Sequence, residues 1–429
     1  MPADLTVLGL GHLGLPAVRT AVSAGLATLG WDPDPAVVAT LTAGRSPIEG
    51  VLTTAEVRRM LAAGFTGTAD PADLDRVRVA LLCSPTDPGP DGVPDPAPLC
   101  AAARLLAPRL RPGALVVVTS PVAPGTTAGP IRALLEEGSG LRAGRGFHLA
   151  HSPARTDPEA RPPHALPPPR VIGGHTPACT EAAAAFYTRL AGGERNGRPG
   201  TTPKIVRARG TLEAETVTIL ETNLRQVNTA LVNELAMACH DLGVDVWDVL
   251  RCAETHPSGP SAHRPGPGGP RPAIDPGRLP GVRRGPGGSP RMVELAHSVN
   301  ERMPGYVTDR VGALLNDHGK SVRDARILLL GVTHRADTAD RTGSPADEIA
   351  HRLLEGGARL SYHDPHVPHW APAGCRVPRA DTPHEAAAGA DLTLLLQAHS
   401  VYDLQGLAAK APLLLDTRGV TPTGSAHRL

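Results

Sequence analysis

Aromatic side chains are nearly absent: Phe, Trp and Tyr together make up 2% of the 429 residues. A core without them has to be built from Ala, Val and Leu. Neither sign of charge is in excess, with 43 Lys+Arg against 42 Asp+Glu and a net charge of +1. That balance gives no reason to expect nucleic acid or an anionic membrane as a partner. No run of about twenty apolar residues occurs, so no membrane span is read. The opening MPADLTVLGLGHLG has no basic segment followed by an apolar one, and a cytoplasmic location is the expectation. Cys83, Cys100, Cys179, Cys239, Cys252 and Cys375 are scattered without ligand spacing. Buried thiols are expected rather than disulfides, and no metal centre. The length fits two or three domains.

What is present begins with residues 211–250, TLEAETVTILETNLRQVNTALVNELAMACHDLGVDVWDVL. Apolar side chains recur at Val217, Leu220, Leu224, Val227, Leu231, Leu235, Ala238 and Leu242. That spacing lays one apolar stripe along a helix, stopped at Gly243 before a second short helix. Such a rod, roughly 45 Å long at 1.5 Å per residue, is expected to join two domains or to pack against a copy of itself. On both sides of it the chain alternates strands and helices.

At the N-terminus the apolar run Leu5–Leu8 leads into Gly9-Leu10-Gly11-His12-Leu13-Gly14, a helical segment, and a second strand ending at Asp32. This is the strand, GxGxxG, helix, strand, acid order of a dinucleotide-binding unit. Gly9 permits the tight turn, Gly11 lets the backbone approach a pyrophosphate, and Gly14 lets the helix lie close on the strand. The helix N-terminus, with His12 and Leu13, supplies N–H groups. Asp32 is placed to accept from a ribose hydroxyl, which favours NAD over NADP. The bland alternative is a glycine-rich turn in an α/β protein without a ligand. Two further apolar runs, 79–83 and 114–119, read as strands buried on both faces. Their carboxyl ends bring Thr86 and Ser120 toward the same crevice, although Thr86 would equally cap the next turn.

The runs GLGHLGLP, GWDPD, AGRSPIEG, DGVPD, LRPGALVVVTSPVAPGTT and RVIGG resemble the UDP-glucose/GDP-mannose dehydrogenase family. The resemblance continues through ETNLRQVNTALVNELAMACHDLGVDVWDVL, PRMVELAHSVNERMP, ILLLGVTHRADTADRTGSPADEI and SYHDPHVP, across essentially the whole chain. It is nearest to the branch that oxidises UDP-N-acetylmannosamine. The implied fold is α/β, with two Rossmann-like doubly wound domains joined by a helical domain. The implied divisions are an NAD-binding domain at 1–205, a helical dimerisation domain at 206–305 and a nucleotide-sugar-binding domain at 306–429. A homodimer through the 211–250 helix, NAD as cofactor and a nucleotide sugar as substrate follow from the same resemblance. The family reaction oxidises a sugar C6 alcohol to a carboxylate in two NAD-dependent steps.

That reaction needs a thiolate to capture the aldehyde, a Lys and an Asn for the oxyanion, and a carboxylate and a Thr for water and protons. The family's thiol lies in a loop resembling PGPGVGGHCIPVDP; here 265–276 reads PGPGGPRPAIDP. Counting back from Asp275 puts Arg271 at the thiol, and counting forward from the glycines puts Ala273 there. Asp275 alone is kept. Thr218 stands at the Lys and Thr222 at the Asn, with Asn223 adjacent. Ala154 replaces the Glu and Pro121 the Thr. Thr342 replaces an Arg that grips the nucleotide sugar, and Arg335 replaces a Lys with altered geometry. Asn228, Arg264, Arg271 and Arg335 are the candidate substrate contacts. The Pro- and Gly-rich stretch 277–290 cannot sustain the family's helix.

Cys239, on the long helix, reads as packed, and nothing near Cys252 supplies a base. His256 and His263 are candidate bases for a single hydride transfer, against a reading as surface-loop histidines. Arg264, Arg271, Arg278, Arg283, Arg284 and Arg291 face one acid, Asp275, and either grip an anion or line a solvated loop. In the C-terminal half, strands are expected at 326–331, 359–362, 392–396 and 413–415, with a helix capped by Ser344-Pro345. Asp364 after His363 reads as a structural cap. Three functions remain. One is a catalytically impaired NAD-binding homologue, acting through a partner such as a catalytic paralogue. The second is an enzyme with altered chemistry, a single oxidation or a redox-neutral isomerisation. The third is an ordinary dehydrogenase using a displaced Cys252.

Overall fold

The computed structural model describes residues 3–48, 50–86, 94–154, 169–191, 204–256, 264–268, 291–341 and 343–429. The candidates Arg271, Ala273, Asp275, His263, Arg278, Arg283, Arg284 and Thr342, and the stretch 277–290, lie outside these residues. The described chain falls into two compact units, one reaching Thr222 and one beginning at Asn223.

In the first unit the elements run β1 (Leu5–Leu8), α1 (Gly14–Ser23), β2 (Thr28–Trp31), α2 (Pro35–Thr42), α3 (Thr54–Ala62), β3 (Thr66–Thr68) and β4 (Val77–Leu82). They continue with α4 (Ala97–Leu106), β5 (Leu110–Val118), α5 (Arg132–Ser139), β6 (His148–His151), β7 (Arg170–Gly174), α6 (Pro177–Ala191) and β8 (Ile205–Arg207). The eight strands form one sheet in the order β3-β2-β1-β4-β5-β6-β7-β8. Only the β6–β7 pairing is antiparallel. The first six strands carry the order expected of a dinucleotide-binding sheet. Alternation along the strands fills both faces: Leu5, Val7, Leu81, Leu115 and Val117 pack under α1, α3 and α6. Leu8, Ala80, Leu82, Val116 and Val118 pack under α4 and α5. Small aliphatic residues do the work that aromatics do elsewhere, as the composition requires.

The 31-residue helix α7 (Thr211–Asp241) has its first turns, to Thr222, in the first unit and the remainder in the second. The second unit adds α8 (Val246–Ala253), α9 (Arg291–Asp317), β9 (Arg326–Leu330), α10 (Ala346–Glu355), β10 (Arg359–His363), α11 (Pro383–Gly389) and β11 (Leu392–Leu395). It ends with α12 (Leu404–Lys410), β12 (Leu414–Asp416) and β13 (His427–Arg428). Its sheet has the order β10-β9-β11-β12-β13. All its pairings are parallel. Ile327, Leu329, Leu394 and Leu415 pack against α9 and α10. Leu328, Leu330 and Leu395 face α11 and α12. Helix α10 starts one residue later than its expected cap. Pro345 occupies the N-cap without a side-chain bond, and Ser344 accepts instead from the Ala346 N–H at 3.2 Å.

The long helix forms, but the face it buries is not the leucine stripe. Leu220 is 67% exposed, Leu224 58%, Leu231 64% and Leu242 77%. The buried side is Glu215, Ile219, Asn223, Gln226, Asn233, Ala236 and Cys239. The buried amide of Asn233 is bonded, whereas the Gln226 side-chain oxygen is enclosed without a partner. Asn233 donates to Asn300 at 2.9 Å and accepts from the Gly266 N–H at 3.0 Å, and Asn300 donates to the Gln226 carbonyl. Hydrophobic periodicity located the helix but not the side that faces its own chain. Of the cysteines, Cys83, Cys179 and Cys239 are buried, Cys100 is half-buried, and Cys252 and Cys375 are exposed.

Among the described glycines the tightest backbone approach is at the start of α1. A Cβ on Gly14 would lie 1.8 Å from the Gly9 carbonyl oxygen, and Gly9 itself has φ +96°. Gly14→Ala is expected to lower stability by about 3 kcal/mol through forced displacement of α1. An unchanged midpoint in denaturant unfolding would contradict this contact.

Candidate cofactor crevice and catalytic positions

The glycine run forms the turn between β1 and α1. A Cβ on Gly9 would sit 2.9 Å from the Cys83 carbonyl, whereas one on Gly11 would meet nothing within 4 Å. Gly9 and Gly14 are thus demanded by the fold, and the open space at Gly11 is where a ligand can meet backbone. The N-cap of α1 is Leu13, with no side-chain cap, which leaves this helix end available to an anion. His12 is exposed and Leu13 half-buried. At the end of β2 one Asp32 oxygen accepts from the Leu10 N–H at 2.8 Å and the other from the Asp34 N–H at 3.0 Å. The fold therefore holds the acid against the glycine turn. These features fit a dinucleotide: the backbone would hold its pyrophosphate and Asp32 would meet its ribose.

At the carboxyl ends of β4 and β5 the two expected hydroxyls are both engaged. Thr86 donates to the Pro121 carbonyl at 2.6 Å rather than capping its own turn. Ser120 is fully buried and donates to the Ser84 carbonyl at 2.6 Å. Both tie the β4 loop to the β5 loop. Pro121 and Ala154 are half-buried at this rim, and the Ala154 N–H bonds to the Thr119 carbonyl. His151, at the end of β6, is completely enclosed, and burial pushes its pKa down to about 3. It is a neutral imidazole at physiological pH.

Glu215, in the first turns of α7, was not evident from the sequence. Its carboxylate accepts from the Gly125 N–H at 2.6 Å and from the Thr127 N–H at 2.7 Å, spanning 90 and 88 residues. Burial raises its pKa while these bonds oppose the rise. An acid near a helix N-terminus reads locally as a dipole partner; its real partners are remote, and no local signal names them. Further along α7, Thr218 and Thr222 are half-buried, and the Thr218 hydroxyl is enclosed without a hydrogen-bond partner. Asn228 is half-buried, and Asn223 is buried.

In the second unit, Arg335 lies half-buried in the loop after β9, which is closed by the Thr333 and Thr338 hydroxyls donating to its carbonyl. Arg264 is ion-paired with Glu254. His256 is exposed, just beyond α8. Asp364 is fully buried and accepts from the Val332 and His366 N–H groups and from His399 at 3.0 Å. Burial alone would raise its pKa, but those bonds together hold it below the usual value. Among the described residues Asp337, His366 and His399 are near enough to share a metal ion. His399 already accepts the Asp337 N–H at Nδ1 and donates to Asp364 from Nε2, so ligation would break one of these bonds.

Glu215→Gln keeps the size but gives one of the two N–H groups a second donor to face. A loss of about 1–3 kcal/mol is expected. Denaturant midpoints for the two proteins would measure it, and equal midpoints would contradict the clamp.

Comparison with known proteins agrees with this geometry. The UDP-glucose/GDP-mannose dehydrogenase family matches through its NAD binding domain at residues 3–191, its central domain at 212–302 and its UDP binding domain at 328–423. The UDP-N-acetyl-D-mannosamine dehydrogenase of Pyrococcus horikoshii is 30% identical over 366 residues, covering 85% of this chain and 84% of that protein. That of Escherichia coli K12 is 29% identical over 441 residues, covering 97% and 99%. The solved UDP-D-ManNAc dehydrogenase from P. horikoshii superposes with a TM-score of 0.82 at 26% identity, covering 99% of this chain and 98% of that one. The chain therefore belongs to the UDP-glucose/GDP-mannose dehydrogenase family, whose members are NAD-dependent nucleotide-sugar dehydrogenases.

Proposed function

We propose that this chain binds NAD and a nucleotide sugar but no longer carries out the four-electron oxidation through a thioester. The inventory of thiols carries this reading. All six cysteines lie among the described residues. Cys83, Cys179 and Cys239 are enclosed in cores, and burial pushes the Cys83 thiol up to about 11. Cys100 is half-buried, with its pKa raised chiefly by burial. Cys252 lies in the last turn of α8 and Cys375 follows the short turn Pro372–Gly374, outside the loop that aligns with the family's thiol. A thiohemiacetal needs an accessible thiolate beside the nicotinamide. Thr218 in place of Lys brings no cation to a developing oxyanion, and Ala154 in place of Glu brings no base.

In this reading the glycine turn and Asp32 hold NAD. Arg335 and Asn228 contact the nucleotide sugar, with domains dividing at 1–205, 206–305 and 306–429. The function is exerted through a partner, such as a catalytic paralogue. Calorimetric titration with NAD and then with UDP-N-acetylmannosamine and other UDP- and GDP-sugars tests it, with NADH followed by absorbance. Binding without NADH is expected. NADH formation would overturn the impaired reading, and the ratio of sugar acid to NADH would then separate one oxidation from two.

The exposed leucines of α7 support a homodimer. Leu220, Leu224, Leu231 and Leu235, continued by Leu242 just past the helix end, form an apolar strip longer than scattered surface residues explain. A second copy of this chain offers the matching strip. Light scattering is expected to give a dimer mass, reduced to a monomer by Leu224→Glu with Leu231→Glu. A monomeric parent protein would remove the interface.

A further inference from the structure

The loop that carries Arg335 leaves the carboxyl end of β9, beside the loop that leaves its parallel neighbour β11. It is held at three points. At its start the Val332 N–H donates to the buried Asp364 carboxylate at 2.8 Å. Just before Arg335, the Gln397 side-chain amide donates to the His334 carbonyl at 3.0 Å. Just after it, the Asp337 N–H donates to His399 Nδ1 at 2.9 Å, and the Ser400 N–H donates to the Asp337 carboxylate at 2.9 Å. Arg335 therefore lies between two anchors, both supplied by the β11 loop.

The His399 bond is the demanding one. Asp337 has φ +56°, a left-handed conformation that a residue with a Cβ keeps only where its surroundings hold it. To accept the Asp337 N–H, Nδ1 must carry no proton, so the ring proton is on Nε2, which donates to Asp364 at 3.0 Å. Asp364 thus sets the tautomer of His399, and His399 sets the backbone at Asp337. The two ends of the loop rest on the same pair. Both side chains of that pair are buried, and what they control is the loop.

We propose that His399, assisted by Gln397, is a positioning residue for Arg335, fixing the backbone from which the guanidinium reaches the nucleotide. A backbone fixed in advance lowers the ordering cost of binding. This role rests on the reading of Arg335 as a nucleotide-sugar contact.

The test titrates UDP into the whole protein by calorimetry, in a double-mutant cycle with Arg335→Gln. His399→Gln keeps a donor for Asp364 but leaves the Asp337 N–H without its acceptor, whereas His399→Asn places an acceptor where Nδ1 stood. Arg335→Gln is expected to weaken UDP binding about tenfold. His399→Gln is expected to weaken it about five- to tenfold, and His399→Asn to stay within about twofold of the parent. Added to Arg335→Gln, His399→Gln is expected to cost nothing further, because the two act as one unit. Gln397→Met, which removes the other anchor, is expected to show the same dependence on Arg335 and serves if His399→Gln does not fold. Equal losses with and without Arg335, unchanged binding in His399→Gln, or a loss in His399→Asn as large as in His399→Gln would overturn the positioning role. Unchanged binding in Arg335→Gln would instead overturn the reading of Arg335 itself, and the role with it.

Discussion

The first unit depends on how closely α1 lies against the end of β1. With hydrogen in place of a side chain at Gly14, the helix starts against the Gly9 carbonyl, where any Cβ would collide at 1.8 Å. That approach leaves the helix N-terminus uncapped by a side chain and open to an anion. It also brings the Leu10 N–H within 2.8 Å of Asp32, so the turn and the acid are fixed together. One steric constraint sets both the glycine turn and the acid beside it.

Burial along α7 follows a different logic. Its inward face is held by bonded polar groups, with Glu215 clamping the Gly125–Thr127 backbone and Asn233 joined to Asn300 and Gly266. Polar contacts of this kind are directional, so they fix the helix's rotation more sharply than an aliphatic stripe would. The leucines are thereby left facing outward.

In the proposed function the glycine turn and Asp32 serve binding, while the buried thiols serve packing. The cysteines in domain cores contribute packing, and burial that favours packing disfavours the thiolate, as the raised pKa of Cys83 illustrates. A crevice shaped for a dinucleotide and a thiol able to hold an aldehyde are independent requirements. The proposed function rests on that independence: it keeps the first requirement and drops the second.

The sequence by itself determined the strands at Leu5–Leu8 and Arg326–Leu330, the glycine turn with Asp32, the length of α7 and the family, because periodicity, glycine spacing and motif order are local signals. It determined less of the short strands β3, β8 and β13, which are too brief to show alternation. Tertiary structure alone decided which face of α7 is buried, that Ser120 and Thr86 tie two loops together, and that Glu215 bonds a backbone some ninety residues earlier. It also decided that the Arg170 guanidinium lies over the Tyr187 ring. Each of these depends on partners distant in the chain, and a hydrogen-bond donor's sequence position carries no record of the acceptor it will find.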